Sequence, residues 1–376
     1  MKIGVNVHLL SFSADYRQTG IGLYIENLLK HLAPMIGSED INLLGYDRNI
    51  KKHFNSYNFI PSNIDTTSPI KRIFWEQLVS HNVVCKENID IYHCPMHVIP
   101  ILPKKKPYKT VITVHDLANF KFPQFYKGFK QKYLTTLTRL SAQLADRIIA
   151  VSENTKKDII EILNIPESKI DVVYNGNNLQ IPKDLDIIHL DIEFPKQYIL
   201  FVGTLEPRKN LEGLIKSLIF LAEKKKRLIP LVIAGPLGWK YAKIQAMAEQ
   251  YQLMGGNIIQ TGYLKPDELC AIYKKATIFV YPSFYEGFGF PVLEAMSLGV
   301  PVITSNISSL TEVGGDAVQY IDPNSIEDLA NKVNLLFGND YLCQELSIKS
   351  KKRSNLFNWK AAASQTLQTY NKTMEG

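Results

Sequence analysis

The sequence predicts an α/β protein made of two Rossmann-like domains, and three observations carry that expectation. The chain has 376 residues, more than one hydrophobic core usually supports. Short β-branched apolar runs alternate with helical patterns along its length, as in doubly wound parallel sheets. In each half an early strand runs into a glycine-bearing turn and then a helix, the junction where open α/β sheets bind ligands.

The first domain is expected over residues 1–175. Lys2 to Leu9 reads as a buried parallel strand. A polar stretch ends at Thr19-Gly-Ile-Gly22, and a helix runs from Leu23 to about Ala33. Ile41 to Tyr46 is a second strand, and residues 47–70, rich in Asn, Ser, Thr and Pro, read as a surface excursion. Ile73 to Val84 is helical and Ile89 to Cys94 a strand, after which Pro95, Pro100 and Pro103 break the pattern. Thr110 to Val114 is a strand ending at His115-Asp116. Phe125 to Leu144 is helical and Arg147 to Val151 a strand. Ser152 suits the N-cap of a helix over 153–163, and Ile170 to Val173 closes the half.

Residues 176–196, with Asn175-Gly-Asn-Asn178 at their start, Pro182 and Pro195, read as a linker. The second domain, residues 197–355, repeats the architecture without repeating the sequence. Its strands are expected at Tyr198–Val202, Leu231–Ala234, Asn257–Gln260, Ala276–Tyr281, Val300–Thr304 and Ala317–Ile321. Residues 356–376 form a terminal segment that is helical from Asn358 to about Tyr370.

Composition narrows the function. No apolar run approaches the ~20 residues of a membrane span, and the chain enters a strand at once, so no signal peptide is expected. Cys85, Cys94, Cys270 and Cys343 lack metal-type or CxxC spacing, which fits reduced thiols and a cytoplasmic protein. The net charge of +7 is uneven, since residues 1–175 hold 22 Lys and Arg against 16 Asp and Glu. The excess gathers at Lys104–Lys109 and at Lys121–Lys132, where aromatics interleave with lysines. That pattern suits an anionic membrane surface, or a solvated face over core aromatics. No nucleic-acid motif accompanies the charge, so nucleic acid is not an expected partner.

The densest chemistry lies between Tyr281 and Pro301. A buried strand delivers Glu286, then Gly287 and Gly289, to a helix that Pro291 opens and Gly299 ends. Glycine turns and a helix N-terminus favour an anion. Glu286 and Glu294 flank that anion site, where they make sense as holders of hydroxyl groups. A nucleotide sugar has this layout of sugar hydroxyls, diphosphate and ribose diol. The pair would otherwise read as a glycosidase-type acid and base, or as structural. Arg208 and Lys209 follow the first strand of the second domain and open a helix, where cations oppose the helix dipole. There they can clamp a diphosphate. His115, at a strand end in the first domain, reads as a cleft residue, and Asp116 either partners it or caps the next turn.

These segments resemble the retaining glycosyltransferases of family GT4, over nearly the whole chain. Glu286-Gly-Phe-Gly-Phe-Pro-Val-Leu-Glu294 matches that family's Glu-x7-Glu motif. Val202-Gly-Thr-Leu-Glu-Pro-Arg-Lys-Asn210 resembles its phosphate loop, and Thr19-Gly-Ile-Gly22 its amino-terminal loop. Val114-His-Asp-Leu117, Val151-Ser-Glu-Asn-Thr155 and Val173-Tyr-Asn-Gly176 resemble its first-domain landmarks. Ser305–Glu312 and Asn358-Trp-Lys-Ala361 resemble its late ones. Within the family, the likeness is to bacterial mannosyl- and rhamnosyltransferases of O-antigen and capsule assembly.

The resemblance implies a GT-B fold, two domains facing across a cleft, with a C-terminal helix returning to the first. It implies transfer of a hexose, mannose favoured, from a nucleotide diphosphate sugar, GDP-mannose favoured, to a glycan or lipid-linked glycan. With fixed cations and a helix end at the leaving group, no metal and no other cofactor is expected, and the basic stretches fit a cytoplasmic protein that is either free or peripheral on the inner face of the membrane. Glu286 would hold donor-sugar hydroxyls, Glu294 the ribose diol, and Arg208 and Lys209 the leaving diphosphate. Phe288, Gly289 and Phe290 would offer backbone N–H groups. Gly20 and Gly22 would lie near the diphosphate, His115 near the reacting carbon, and Tyr263 and Leu264 at the base. The sequence departs from the family pattern at Tyr174, often proline, and at Thr19, often glycine. A nucleotide-sugar epimerase or a phosphorylase of the same fold, or a non-catalytic carbohydrate-binding scaffold, are the other readings.

Overall fold

The computed structural model describes the chain except residues 13–19, 103–104, 126–128, 183, 185–187, 189, 191, 237, 239–240 and 376. Two compact units emerge: residues 1–176 with 358–376, and residues 177–357.

The first unit holds a seven-stranded sheet in the order β3-β2-β1-β4-β5-β6-β7. Its strands are β1 (Ile3–Asn6), β2 (Ile41–Gly45), β3 (Asn58–Pro61), β4 (Ile91–Cys94), β5 (Lys109–Val114), β6 (Arg147–Ala150) and β7 (Ile170–Val172). All neighbours pair in parallel. The central strands are buried on both faces, which is why they read as continuous apolar runs without alternation. Ser152 caps the helix Glu153–Leu163, accepting from Thr155 N–H.

Three expectations change. The excursion over 47–70 contains β3, an edge strand in register with β2. Its residues are exposed or half-buried and end in proline, so it carries no apolar signature, and an edge tolerates the missing donor. The helix expected from Phe125 starts at Phe129, after a short turn over Pro123–Phe125. The helix expected from Ile73 starts at Pro69, and its middle, Trp75–Val79, is a π-helix.

The terminal helix Trp359–Glu375 belongs to this first unit. Trp359 is buried and sits 5.6 Å from the Tyr24 ring. Gly176 makes room for it, since a Cβ there would stand 2.4 Å from Trp359 N. Near the helix end, the Tyr370 hydroxyl meets His93 Nδ1 at 2.7 Å, and Lys372 pairs with Asp171 at 2.7 Å. A chain segment remote in sequence thus completes the packing of the first sheet.

The second unit holds a six-stranded parallel sheet in the order β10-β9-β8-β11-β12-β13. The strands are β8 (Ile199–Val202), β9 (Leu231–Ala234), β10 (Ile258–Gly262), β11 (Ile278–Tyr281), β12 (Val302–Ser305) and β13 (Gln319–Ile321). The chain winds outward from β8 to β10, then crosses back to place β11 on the other side of β8. That reversal makes β8 and β11 the topological switch point, the pair whose carboxyl ends open a crevice. Among the described residues, no helix is long and apolar enough to cross a membrane.

Candidate active site

At the carboxyl end of β8 the chain makes a short turn, Pro207–Lys209, before the helix Leu211–Lys225. Asn210, with φ 56°, accepts from Gly213 N–H and caps that helix. At the carboxyl end of β11 the chain passes through Ser283 and Glu286 to Gly289, which takes φ 104° and precedes the helix Phe290–Ser297. Pro291 lies in its first turn as expected. The strand order brings the two turns together, and Arg208 O accepts from Phe284 N–H at 2.9 Å.

Glu286 is the centre of this site. Its Oε1 accepts from Lys209 Nζ at 2.7 Å, Tyr281 Oη at 2.9 Å and Ser283 Oγ at 2.6 Å. Its Oε2 accepts from Arg208 Nη1 at 3.0 Å. Arg208 also reaches Glu206 at 2.6 Å and the Tyr285 carbonyl at 2.6 Å. Burial alone would raise the Glu286 carboxyl. The Arg208 and Lys209 cations and the hydrogen bonds from Lys209 and Ser283 outweigh it and hold the group at about 2. The carboxylate is therefore ionised at any physiological pH, and Lys209 and Arg208 are held as a pair beside it.

The glycine loop is fixed from the next strand. Ser308 Oγ accepts from Glu286 N–H at 3.1 Å, and Ser309 Oγ donates toward the carbonyls of Glu286 and Phe288, each at 2.9 Å. The Phe288 ring is buried against Phe290 and Phe357. Such anchoring sets the backbone before any ligand arrives.

Glu294 lies one turn into the helix and is 8% exposed. Tyr273 Oη donates to its Oε2 at 3.1 Å, and no cation pairs with it among the described residues. Burial raises this carboxyl to about 7, with the Tyr273 bond pulling the other way. The two glutamates of one motif thus have opposite electrostatic settings. One is locked as an anion between two cations, and the other is near the balance between acid and anion.

The remaining predicted residues fall in two places. Tyr263 and Leu264 follow β10, the sheet edge two strands from β8, and Tyr263 is 61% exposed. In the first unit Gly20 precedes the helix Ile21–Ile36 with φ 55°, and Gly22 is buried in its first turn. Thr19 lies outside the described residues. His115 follows β5 and is half-buried. Its Nε2 donates to the Pro95 carbonyl at 2.9 Å, and its ring meets the Tyr24 edge at 4.8 Å. Burial lowers its pKa to about 4, so it is neutral at pH 7. Asp116 caps the next turn, accepting from Ala118 N–H at 3.0 Å.

Sequence reasoning missed Glu206, Tyr273, Tyr281 and Ser283. The two tyrosines read as core, which they are by burial; only their hydroxyls serve the site. Glu206 and Ser283 sit two or three residues from Arg208 and Glu286, a proximity that is the one available signal.

Comparison with known proteins places this geometry. The profile described as "Glycosyltransferase Family 4" matches residues 19–181, and that described as "Glycosyl transferases group 1" matches residues 186–353. The O-antigen chain mannosyltransferase B of Escherichia coli is 31% identical over 285 residues, covering 74% of each chain. Sucrose-phosphate synthase from Thermosynechococcus elongatus superposes with a TM-score of 0.79 at 18% identity, over 100% of this chain and 99% of that one. Anabaena HepE, in complex with UDP and glucose, gives a TM-score of 0.72 at 17% identity, over 99% of both chains. Two parallel Rossmann-like sheets, one matched by each profile, and a mannosyltransferase relative over about three quarters of its length make the chain an enzyme of GT-B type that belongs to the family 4 glycosyltransferases.

Proposed function

We propose that the enzyme transfers a hexose, mannose, from GDP-mannose to a glycan or lipid-linked glycan, with retention at the anomeric carbon. One observation carries the reading: Glu286, Arg208 and Lys209 meet at the switch point of the second sheet, beside the N-terminus of the helix Phe290–Ser297. The diphosphate would lie between the two cations and that helix end. Charge that builds on the leaving phosphate in an oxocarbenium-like transition state would be stabilised there. These fixed charges make a metal unnecessary in this reading. The acceptor oxygen bonds to the anomeric carbon as the bond to the diphosphate breaks, and its proton passes to the leaving phosphate oxygen. Glu294 would hold the ribose diol, and Glu286 the donor-sugar hydroxyls. The mannosyltransferase relative supports mannose, and the UDP and glucose in HepE support a nucleoside diphosphate sugar.

The membrane surface belongs to the same proposal, with the lysines of the first unit as its contact. Of these, Lys121 pairs with Asp158 at 2.5 Å and Lys109 lies 3.8 Å from Asp146, so Lys105 and Lys132 are the more exposed candidates. Lys104 and Lys127 lie outside the described residues.

The test is a thermal-shift panel of nucleoside diphosphates and their sugars, since a bound ligand raises the midpoint with its affinity. GDP and GDP-mannose are expected to give the largest shifts, and Arg208→Ala to remove them. Glu286→Ala and Arg208→Ala are each expected to lower transfer at least ~100-fold, the order lost with one transition-state contact. Turnover near wild type in either folded variant would overturn the assignment. Release of a new nucleotide sugar without acceptor would indicate an epimerase.

A further inference from the structure

The helix that begins at Pro69 turns three large apolar side chains to water: Ile70, 80% exposed, with Phe74 and Leu78. They recur every four residues, which puts them on one side of the helix. Four residues overshoot an α-helical turn and fall short of a π-helical one. The π-turn Trp75–Val79 therefore reverses the drift of the α-helical stretch before it, and the three side chains stay in line. Trp75, Glu76 and Ser80 are buried on the other face.

The helix Phe129–Leu144 has the same feature, with Leu140 and Leu144 exposed one turn apart. The segment after β4 ties the two helices together. Gln77 Nε2 donates to the Ile99 carbonyl at 2.9 Å, and its Oε1 accepts from Ile101 N–H at 3.1 Å. Ile99 N–H donates to Ser141 Oγ at 3.2 Å. The next residue along this segment, Leu102, is 60% exposed. Single apolar side chains on a surface are ordinary, but a group of them on adjoining elements marks a surface that meets something apolar.

The charge around the group selects what it meets. Residues 91–145 carry nine Lys and Arg and one acid, Asp116, which caps its own turn. Residues 69–86 add Lys71, Arg72 and Lys86 against Glu76, which is 2% exposed. Asp146, just past Leu144, is turned to Thr110 and Lys109. An apolar patch rimmed by cations complements anionic headgroups over a hydrocarbon interior. A second copy of this chain would instead set the same cations against one another.

We propose that Ile70, Phe74, Leu78 and Leu102, with Leu140 and Leu144 beside them, insert into an anionic lipid surface. This rests on the membrane reading above and adds its mode. The lysines attract the chain to the headgroups, and the apolar side chains hold it there. Binding by insertion persists in part when salt screens the charges.

Vesicle flotation of the full chain tests it, with phosphatidylcholine and phosphatidylglycerol in equal parts. It is run at low salt and at about 1 M salt, where the Debye length is ~3 Å. Wild type is expected to float in both. The double variant Phe74→Ser, Leu78→Ser should bind at least ~10-fold more weakly at low salt and be lost at high salt. A tenfold change is less than the transfer of one fully buried leucine. Phe74→Trp should shift tryptophan emission to the blue when vesicles are added. Both positions are exposed, so an unchanged melting midpoint shows that the variants fold. Equal flotation of wild type and double variant overturns the proposal and leaves the lysine contact standing. So does complete loss of wild-type flotation at high salt. No flotation of wild type at low salt overturns both. A dimer in sedimentation velocity that the double variant dissolves gives the face to a second copy and overturns the proposal. Failure of the donor reading would appear separately, as absent nucleotide shifts in a chain that still floats.

Discussion

Glu286→Gln isolates the charge at the centre of the second unit. The carboxylate accepts four hydrogen bonds and sits between Arg208 and Lys209. Its folded value of about 2 lies below the ordinary 4.5. Linkage converts that depression to about 3 kcal/mol of stability. Because the folded value is depressed, the contribution is fully present well above pH 4.5 and is lost as pH falls toward 2. About 1 kcal/mol of it is gone at pH 4. Glutamine keeps one acceptor oxygen but brings two N–H donors toward cations. The variant should therefore lose about 3 kcal/mol at pH 7, a drop of roughly 6–12 °C for a domain of this size. Scanning calorimetry at pH 7 and pH 4 measures both quantities. The gap between wild type and variant should narrow by about 1 kcal/mol at pH 4. A variant that melts with the wild type at pH 7, or a gap that does not change with pH, would refute the ion-pair account.

Glu294 should behave in the opposite sense. Its folded value, about 7, is raised above 4.5, so its burial costs stability as pH rises through that interval. Glu294→Gln should therefore raise the melting midpoint at pH 8 and leave it unchanged at pH 4; a midpoint that moves equally at both would sink this. His115, lowered to about 4, should show no change in its ring NMR shifts between pH 8 and 5.5. Gly176→Ala should destabilise the first unit by at least ~2 kcal/mol, through a clash with Trp359 N, and denaturant titration reads it. Reversal of Lys127, Lys130 and Lys132 to Glu should weaken binding to anionic vesicles at low salt. Unchanged binding would remove the membrane role.

Where the sequence was legible, one local cause decided the structure. Ser152 before a helical run, Pro291 after a glycine turn, and the buried strand Leu231–Ala234 each carried their own signal. The strand β3 did not, because an edge strand need not be apolar on either face. The π-turn at Trp75–Val79 did not, because its residues keep a helical pattern and differ only in which carbonyl each N–H reaches. At the site, the charged residues were legible from type and spacing. The hydroxyls of Tyr273 and Tyr281 were not, since an aromatic ring in a buried strand or helix looks like packing until its oxygen is placed. The pairing of Glu286 with Arg208 and Lys209 depends on strand order, which puts β11 beside β8 across a long stretch of chain.

Glu206 and Glu286 stand against Arg208 and Lys209 two for two, so this cluster has no net charge of its own. It therefore casts little field into solvent. A phosphorylated ligand would not be drawn to it from a distance, and would feel the cations only once docked within a few ångströms. Arrival should then be slow by the standards of steered encounters and nearly indifferent to ionic strength, while the lifetime of the docked state carries the selectivity.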